Sequence, residues 1–94
     1  MSEPTLSLAP KASVAELHGE AVLLDLDSGR YFSVNRSGAL LLRLLSKGAP
    51  RARLEAALLE AFRIDAEAAR RDVDGWIARL SERGLLVSTR ADPL

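Results

Sequence analysis

Cysteine is absent from the 94-residue chain, and histidine occurs once. Without cysteine the chain can form neither a disulfide framework nor a thiolate metal site, and one histidine excludes a histidine-rich metal site. That histidine, His18, lies between two predicted strands with no partner in the sequence, which favours a solvated turn residue over a ligand or a base. We therefore expect no metal and no cofactor.

An excess of charge of either sign is also absent, because thirteen lysines and arginines balance thirteen acidic residues. A protein whose main task is to bind nucleic acid is expected to be basic, so the composition argues against that class. The N-terminus lacks the basic and apolar regions of a signal peptide, and no apolar run is long enough to span a bilayer. We expect a cytoplasmic domain.

Catalytic motifs are missing as well. The six glycines are spread along the chain rather than gathered in a phosphate-binding loop, and no serine lies in a Gly-x-Ser-x-Gly motif. Two carboxylate pairs occur, Asp25 with Asp27 and Asp72 with Asp74, but neither has flanking ligands for a metal. These absences predict that the protein is not an enzyme.

What the sequence does contain is a hairpin pattern within residues 22–38. Two strand-like runs flank Asp27-Ser28-Gly29, and Gly29 suits the positive φ of a turn residue. A further run precedes the pair His18-Gly19, which is typical of a two-residue hairpin turn. The sequence thus predicts three antiparallel strands, at residues 13–17, 21–26 and 30–34.

Side chains in the last of these strands, residues 30–34, alternate between the two faces of the sheet. Phe32 is expected to pack in the core, whereas core packing and ligand binding both stay open as interpretations of Tyr31 on the opposite face. No later strand is predicted to pair with this one, so it should form an open sheet edge. An open edge can accept a peptide as an additional strand.

Three helices follow, and each has recognisable ends. The first runs from about residue 36 to 46 after the N-cap Asn35, and the second opens with Pro50. The third is capped by Asp65 and ends at Gly84, where a left-handed residue predicts a Schellman motif. Three strands followed by three helices predict an α+β domain that resembles a winged helix-turn-helix arrangement.

The predicted domain occupies residues 13–87. Residues 1–12 are expected to form an N-terminal arm, which can add a short strand at residues 5–8 before Pro10 ends it. Residues 88–94 are expected to form a loose C-terminal tail. No repeat or internal linker divides the chain, so one domain is predicted.

The last predicted helix carries the sole tryptophan. Trp76 lies just off the apolar stripe of this helix, where core burial and partial exposure in a groove both stay open. Gly75 beside it costs a helix about 1 kcal/mol relative to alanine, and the sequence does not decide why it is there. Arg79 and Arg83 are interspersed with acidic residues, which favours a mixed solvated surface over a basic recognition face.

The order and spacing of three segments resemble the PqqD-like proteins, also called recognition elements of ribosomally synthesised and post-translationally modified peptides (RiPPs). The segments are VLLDLDSGRYFSVNRSGALLLRLL, KGAP and DVDGWIARLSERGLL. The resemblance covers residues 13–87. The chain is more similar to stand-alone recognition proteins of lasso-peptide biosynthesis than to the pyrroloquinoline quinone subgroup, which has a Pro-Glu pair near residues 25–29. Val34 replaces the usual leucine before Asn35.

The resemblance implies a binding protein that holds the leader segment of a precursor peptide and presents it to processing enzymes. In lasso systems the leader typically offers a Tyr-x-x-Pro stretch, and the usual partner is a leader-cleaving cysteine protease. The leader would add to the sheet edge and fill a groove against the last helix. By position in the motif, the implied peptide-binding residues are Arg30, Tyr31, Phe32, Ser33, Val34, Asp72, Val73, Trp76, Ile77, Arg79 and Leu80.

Two alternatives stay open from the sequence. The fold class also resembles winged-helix DNA-binding regulators, although the last helix carries as many acids as bases. The edge strand could instead pair with a second copy of the chain, so a monomer or a weak homodimer is expected.

Overall fold

The structure of the protein, a computed structural model, describes residues 3–18 and 20–89. These residues form two small antiparallel sheets and three helices, which confirms the predicted α+β class. The elements in chain order are β1 (Thr5–Leu8), β2 (Ala12–Leu17), β3 (Glu20–Asp25), β4 (Tyr31–Val34), α1 (Arg36–Lys47), β5 (Ala49–Pro50), α2 (Arg51–Ala61), α3 (Ala66–Glu82) and β6 (Leu86–Thr89).

The first sheet is the predicted three-stranded one, in the order β2-β3-β4. Its strands match the predicted ranges, with ends that differ by one residue. Leu17 pairs with Glu20 across the predicted two-residue turn, and His18 has a positive φ of 54°. Gly19 lies outside the described residues. Gly29 has the expected positive φ, 75°, in the loop before β4.

The second sheet was not predicted as a sheet, although its strand β1 lies where the sequence allowed a short strand, at residues 5–8. Its order is β5-β1-β6, so the segment expected as an N-terminal arm forms a central strand. Leu6 pairs with Ala49 on one side and with Ser88 on the other. Residues 88 and 89 therefore belong to a strand rather than to the loose tail predicted over 88–94, whose remaining residues, 90–94, lie outside the described residues. The domain limits of 13 and 87 stay a prediction.

Two of its strands, β5 and β6, escaped prediction for a physical reason. β5 has only two residues, too few to show alternation, and β6 crosses the predicted limit between the domain and its tail at residues 87 and 88. Their hydrogen-bonding partners lie on distant parts of the chain, so the pairing depends on the packed helices between them. The first sheet, in contrast, is built from local hairpins whose turns are visible in the sequence.

The ends of α1 and α3 follow the predicted signals. The Asn35 side chain accepts a hydrogen bond from the Gly38 N–H at 2.9 Å, and the Asp65 side chain accepts one from the Ala68 N–H at 2.8 Å. The predicted Schellman motif is confirmed at the end of α3. There the Leu85 N–H donates to the Leu80 carbonyl at 2.8 Å, and the two side chains share the core.

The start of α2 was predicted one residue too early. Pro50 is extended, with φ −74° and ψ 159°, and it pairs with Thr5 in the second sheet. A proline φ fits extended backbone as well as the first turn of a helix, so its position in the sequence alone could not separate the two. The helix begins at Arg51.

The core lies between the sheets and the three helices, and most of its large members are leucines. The largest fully buried side chains are Leu23, Leu41, Leu42, Leu45, Leu54, Leu58, Val73, Leu80 and Leu85. Tyr31 points away from this core and is 71% exposed. Phe32, on the opposite face of β4, packs against the core as predicted.

One close approach holds α1 against α3. A Cβ atom on Gly38 would lie closer than 3.0 Å to ring carbons of Trp76 and to Cγ1 of Val34. Any side chain at position 38 would therefore displace the tryptophan, the valine or α1 itself. Gly75 is different, because a Cβ atom there would meet only Arg79 Nη2, at 3.5 Å, which is ordinary van der Waals contact.

These two glycines give a matched pair of alanine variants. Gly38→Ala should lower the free energy of unfolding by about 1–3 kcal/mol, because the added methyl group overpacks the core. Gly75→Ala should raise it by about 0.5–1 kcal/mol, because alanine favours the helix and meets no clash. Urea denaturation followed by tryptophan fluorescence measures both. A Gly38→Ala variant as stable as the wild type would contradict the close packing described above.

Candidate functional site

The strand β4 forms one edge of its sheet. It pairs with β3 on one side, and no strand among the described residues pairs with its other side. The predicted open edge is therefore present. It had been expected because no later strand was predicted. Two later strands exist, β5 and β6, but both join β1 in the second sheet.

A groove separates β4 from α3. Its volume is about 460 Å³, and it lies where the open edge of the sheet meets the last helix. The floor is apolar and partly aromatic, and two arginines lie along the helical side. The lining residues are Leu23, Tyr31, Phe32, Ser33, Trp76, Arg79, Leu80 and Arg83.

The helical wall follows from the spacing of residues along α3. Trp76, Arg79 and Leu80, together with the C-cap residue Arg83, recur at intervals of three and four residues, which brings them to one face of the helix and its end. Trp76 is only 8% exposed and belongs to the core, yet its remaining surface lines the groove. The two interpretations that the sequence left open for this tryptophan are therefore both partly correct.

Each arginine lies over an aromatic ring of the groove. The Arg79 guanidinium carbon is 4.7 Å from the centroid of the Trp76 ring, and that of Arg83 is 4.2 Å from the centroid of Phe32. A guanidinium over an aromatic face is held by cation–π attraction as well as by packing. Both side chains are exposed, as predicted for a mixed solvated surface, and both also form part of the groove wall.

Six of the eleven residues implied by the resemblance line this groove. The other five do not. Val73 is fully buried and Val34 is 8% exposed, so both support the groove from inside the core. Ile77 packs against that core, Asp72 lies in shallow depressions near Ile64, and Arg30 is exposed in the loop just before β4. A contact between any of the eleven and a peptide stays a prediction.

Two lining residues were missed in the sequence. Leu23 pairs with Phe32 across β3 and β4, so the alternation of the hairpin could have placed it on the same face. Arg83 follows Arg79 by four residues, so helical spacing could have placed it on the same wall. Its position over Phe32, however, requires the approach of α3 to β4, which is a tertiary contact.

The loop before the edge strand is held by a carboxylate with little exposure. Asp25 is 8% exposed, and its Oδ1 accepts a hydrogen bond from the Asp27 N–H at 3.0 Å. Burial raises the pKa of Asp25, but hydrogen bonds from Asp27 and Ser28 and the charge of Lys11 outweigh burial and leave the pKa below its ordinary value. The carboxylate therefore stabilises the loop while it is ionised.

Two other kinds of site receive no support from this geometry. Within residues 3–18 and 20–89, no group of three or more histidine, aspartate or glutamate side chains could hold a metal ion. No helix in the same part of the chain is long and apolar enough to cross a membrane.

Comparison with known proteins agrees with this arrangement of sheet, edge and helix. The family described as Coenzyme PQQ synthesis protein D (PqqD) matches residues 20–86. The chain belongs to this family. Within it, the chain is a PqqD-like RiPP recognition element, as the sequence resemblance predicted. Among curated proteins nothing matches the chain.

Two solved structures are similar to the chain. A lasso peptide synthetase B1 complexed with the leader peptide is 30% identical, with 87% of this chain and 96% of that chain covered and a TM-score of 0.75. TbiB1 in complex with the TbiA(beta) leader peptide is 26% identical, with 92% and 99% covered and a TM-score of 0.79. The similarity thus extends over nearly the whole of both proteins.

The Asp25 carboxylate should make the stability of the domain depend on pH. Because its pKa in the folded state lies below the ordinary value of 3.8, its contribution is present above pH 3.8 and is lost as the pH falls through the lower folded value. The difference in unfolding free energy between the wild type and Asp25→Asn should therefore shrink below pH 3.8. Urea denaturation at a series of pH values measures this difference.

Asp27→Asn is the matched control, because the Asp27 side chain is 75% exposed and its carboxylate lies 3.8 Å from Lys11. We expect little loss of stability from this variant at any pH, as for other exposed ion pairs. A stability difference for Asp25→Asn that stays constant as the pH is lowered would contradict the assigned role of the carboxylate.

Proposed function

We propose that this chain binds the leader segment of a ribosomally synthesised precursor peptide along the edge of β4 and in the adjoining groove. The observation that carries the proposal is the meeting of an unpaired strand edge with an apolar groove. The two similar structures, each a complex with a leader peptide, support it. The proposed activity is binding by strand addition rather than catalysis.

The direction of the backbone groups along β4 defines what the edge can offer. The Asp25 N–H donates to the Arg30 carbonyl at 2.8 Å, so Arg30 directs its carbonyl toward β3, while its N–H donates to the Ser28 hydroxyl. Successive residues of a strand alternate in this direction, and Phe32 therefore also faces β3. Tyr31 and Ser33 direct their N–H and C=O groups outward, where a leader strand would pair with them.

The groove offers specificity through side chains. Alternate residues of an added strand would point toward α3, above the rings of Phe32 and Trp76. An aromatic and apolar floor of this kind suits the Tyr-x-x-Pro stretch expected of a lasso leader, because tyrosine and proline both bury apolar surface with little loss of side-chain entropy. Among the implied contact residues, we assign a supporting role to the buried Val34 and Val73.

Binding would serve delivery of the precursor to a processing enzyme. We propose a leader-cleaving cysteine protease as that partner, in lasso-peptide biosynthesis in the cytoplasm. The bound leader would cover the open edge, so the complex is expected to be a monomer, with a weak homodimer through β4 in the absence of leader.

A winged-helix regulator that binds DNA is the second reading of the fold. The net charge of zero argues against this interpretation, because proteins that bind DNA are expected to be basic. The two groove arginines weaken it further, because both lie over aromatic rings in a concave site rather than along a protruding helix face. Binding to random duplex DNA that falls steeply with salt would favour this reading over the proposal.

Replacing Ser33 by proline tests the edge directly. Proline removes the outward N–H while leaving the bonds of Phe32 to β3 in place, so the domain should remain folded. We expect the affinity for a synthetic leader that carries a Tyr-x-x-Pro stretch to fall about tenfold or more, since a hydrogen bond is lost and the ring obstructs the added strand. The fluorescence of Trp76, which lines the groove, reports the titration.

Ser33→Ala is the matched control, because it removes the hydroxyl and keeps the backbone N–H. It should bind the leader as the wild type does, and a scrambled leader should bind neither protein. Circular dichroism establishes that the proline variant is folded. A folded Ser33→Pro variant with unchanged leader affinity would show that the edge of β4 does not pair with the peptide.

A further inference from the structure

Two cations of the groove have no acidic partner among the described residues. Ion pairs within 4.0 Å in this part of the chain involve other lysines and arginines, and neither Arg79 nor Arg83 takes part in one. Neither guanidinium donates a hydrogen bond to a described residue. Their N–H groups are thus available to a ligand in the groove.

Carboxylates of the sheet loop and of the end of α3 do not form ion pairs with the two groove arginines. Asp25 accepts hydrogen bonds within its own loop, and Asp27 lies 3.8 Å from Lys11. Glu82 neighbours Arg83 in the chain, but its carboxylate is not within 4.0 Å of that guanidinium, or it would form an ion pair with it. The helical wall of the groove therefore carries positive charge that no ion pair within residues 3–18 and 20–89 compensates.

Stacking holds both guanidinium groups in place before a ligand arrives. At 4.7 Å and 4.2 Å from the ring centroids, each group covers an aromatic face. The planar fork of an arginine matches a carboxylate in geometry, and a stacked arginine loses little further side-chain freedom when it binds one. An arrangement of this kind is suited to a specific anion rather than to a diffuse charge.

A bound peptide would exclude water from this wall. If the two guanidinium groups lost water without gaining a partner, the cost of desolvation would oppose binding. An acidic side chain of the peptide would offset that cost through charge-assisted hydrogen bonds. Side chains on one face of a strand recur every second residue. The acidic residue and an apolar residue over Phe32 and Trp76 would thus be two positions apart.

We infer that the peptide bound in this groove carries an aspartate or glutamate that meets Arg79 and Arg83, two positions from an apolar or aromatic residue. The inference rests on the proposed function and specifies the chemistry of its ligand. The inference concerns side-chain contacts in the groove between β4 and α3, whereas the Ser33 variants test backbone pairing at the edge of β4.

Selection from a library of random linear peptides tests this without knowledge of the natural precursor. The full chain is used as wild type, as Arg79→Gln/Arg83→Gln and as Arg70→Gln/Arg71→Gln. The last variant is the matched control, since it removes the same charge from two exposed positions of the same helix outside the groove. Circular dichroism establishes that each protein is folded.

Wild type and the Arg70→Gln/Arg71→Gln control should select peptides with an acidic residue at a fixed place, and Arg79→Gln/Arg83→Gln should not. In a synthetic copy of the best wild-type peptide, replacing the acid by its amide should weaken binding to the wild type about tenfold. The same replacement should have no effect with Arg79→Gln/Arg83→Gln.

The outcomes separate the two proposals. Selected peptides without a fixed acid, or an amide peptide that binds the wild type equally well, would overturn the acidic-ligand inference and leave peptide binding intact. A folded wild-type chain that selects no peptide at all would overturn the proposed function. The amide replacement is made in the peptide, so this result does not depend on the folding of any arginine variant.

Discussion

The packing of Trp76 against Gly38 and Val34 is the contact on which the site depends. Only a glycine in α1 allows the tryptophan ring this close to the first turn of that helix and to the end of β4. The ring thereby fixes the distance of α3 from the edge strand and leaves a groove between them. One face of the residue contributes to the core, and its remaining surface contributes to the proposed binding site.

The edge and the groove have different physical roles in the proposed function. The outward backbone groups of Tyr31 and Ser33 would pair with any extended peptide, because every residue except proline offers the same donor and acceptor. Discrimination would therefore come from the groove, where side chains of the peptide meet aromatic rings and cations. A domain whose net charge is zero can still discriminate between peptides by their charge, because the two arginines place positive charge at one wall of the groove.

The sequence was least informative where structure depends on distant segments. β1 pairs with β6 from the other end of the described chain and with β5 from its middle, and no local feature of β1 indicates these partners. Pro50 has a φ that suits two conformations, and the second sheet decides between them. Arg79 and Arg83 are exposed, as their acidic neighbours in the sequence indicated, but the aromatic rings that they cover could not be inferred from those neighbours.

Local signals determined the hairpins, the caps of α1 and α3, the C-terminal Schellman motif and the alternation that separates Phe32 from Tyr31. Each depends on residues within a few positions of one another, so the sequence alone specifies it. Tertiary structure decided the second sheet, the volume of the groove and the stacking of Arg79 and Arg83 on aromatic rings. The groove and the stacking depend on the approach of α3 to β4, and the second sheet depends on the pairing of strands that lie far apart in the chain. Neither arrangement has a local pattern in the sequence, because both are set by packing across the whole domain.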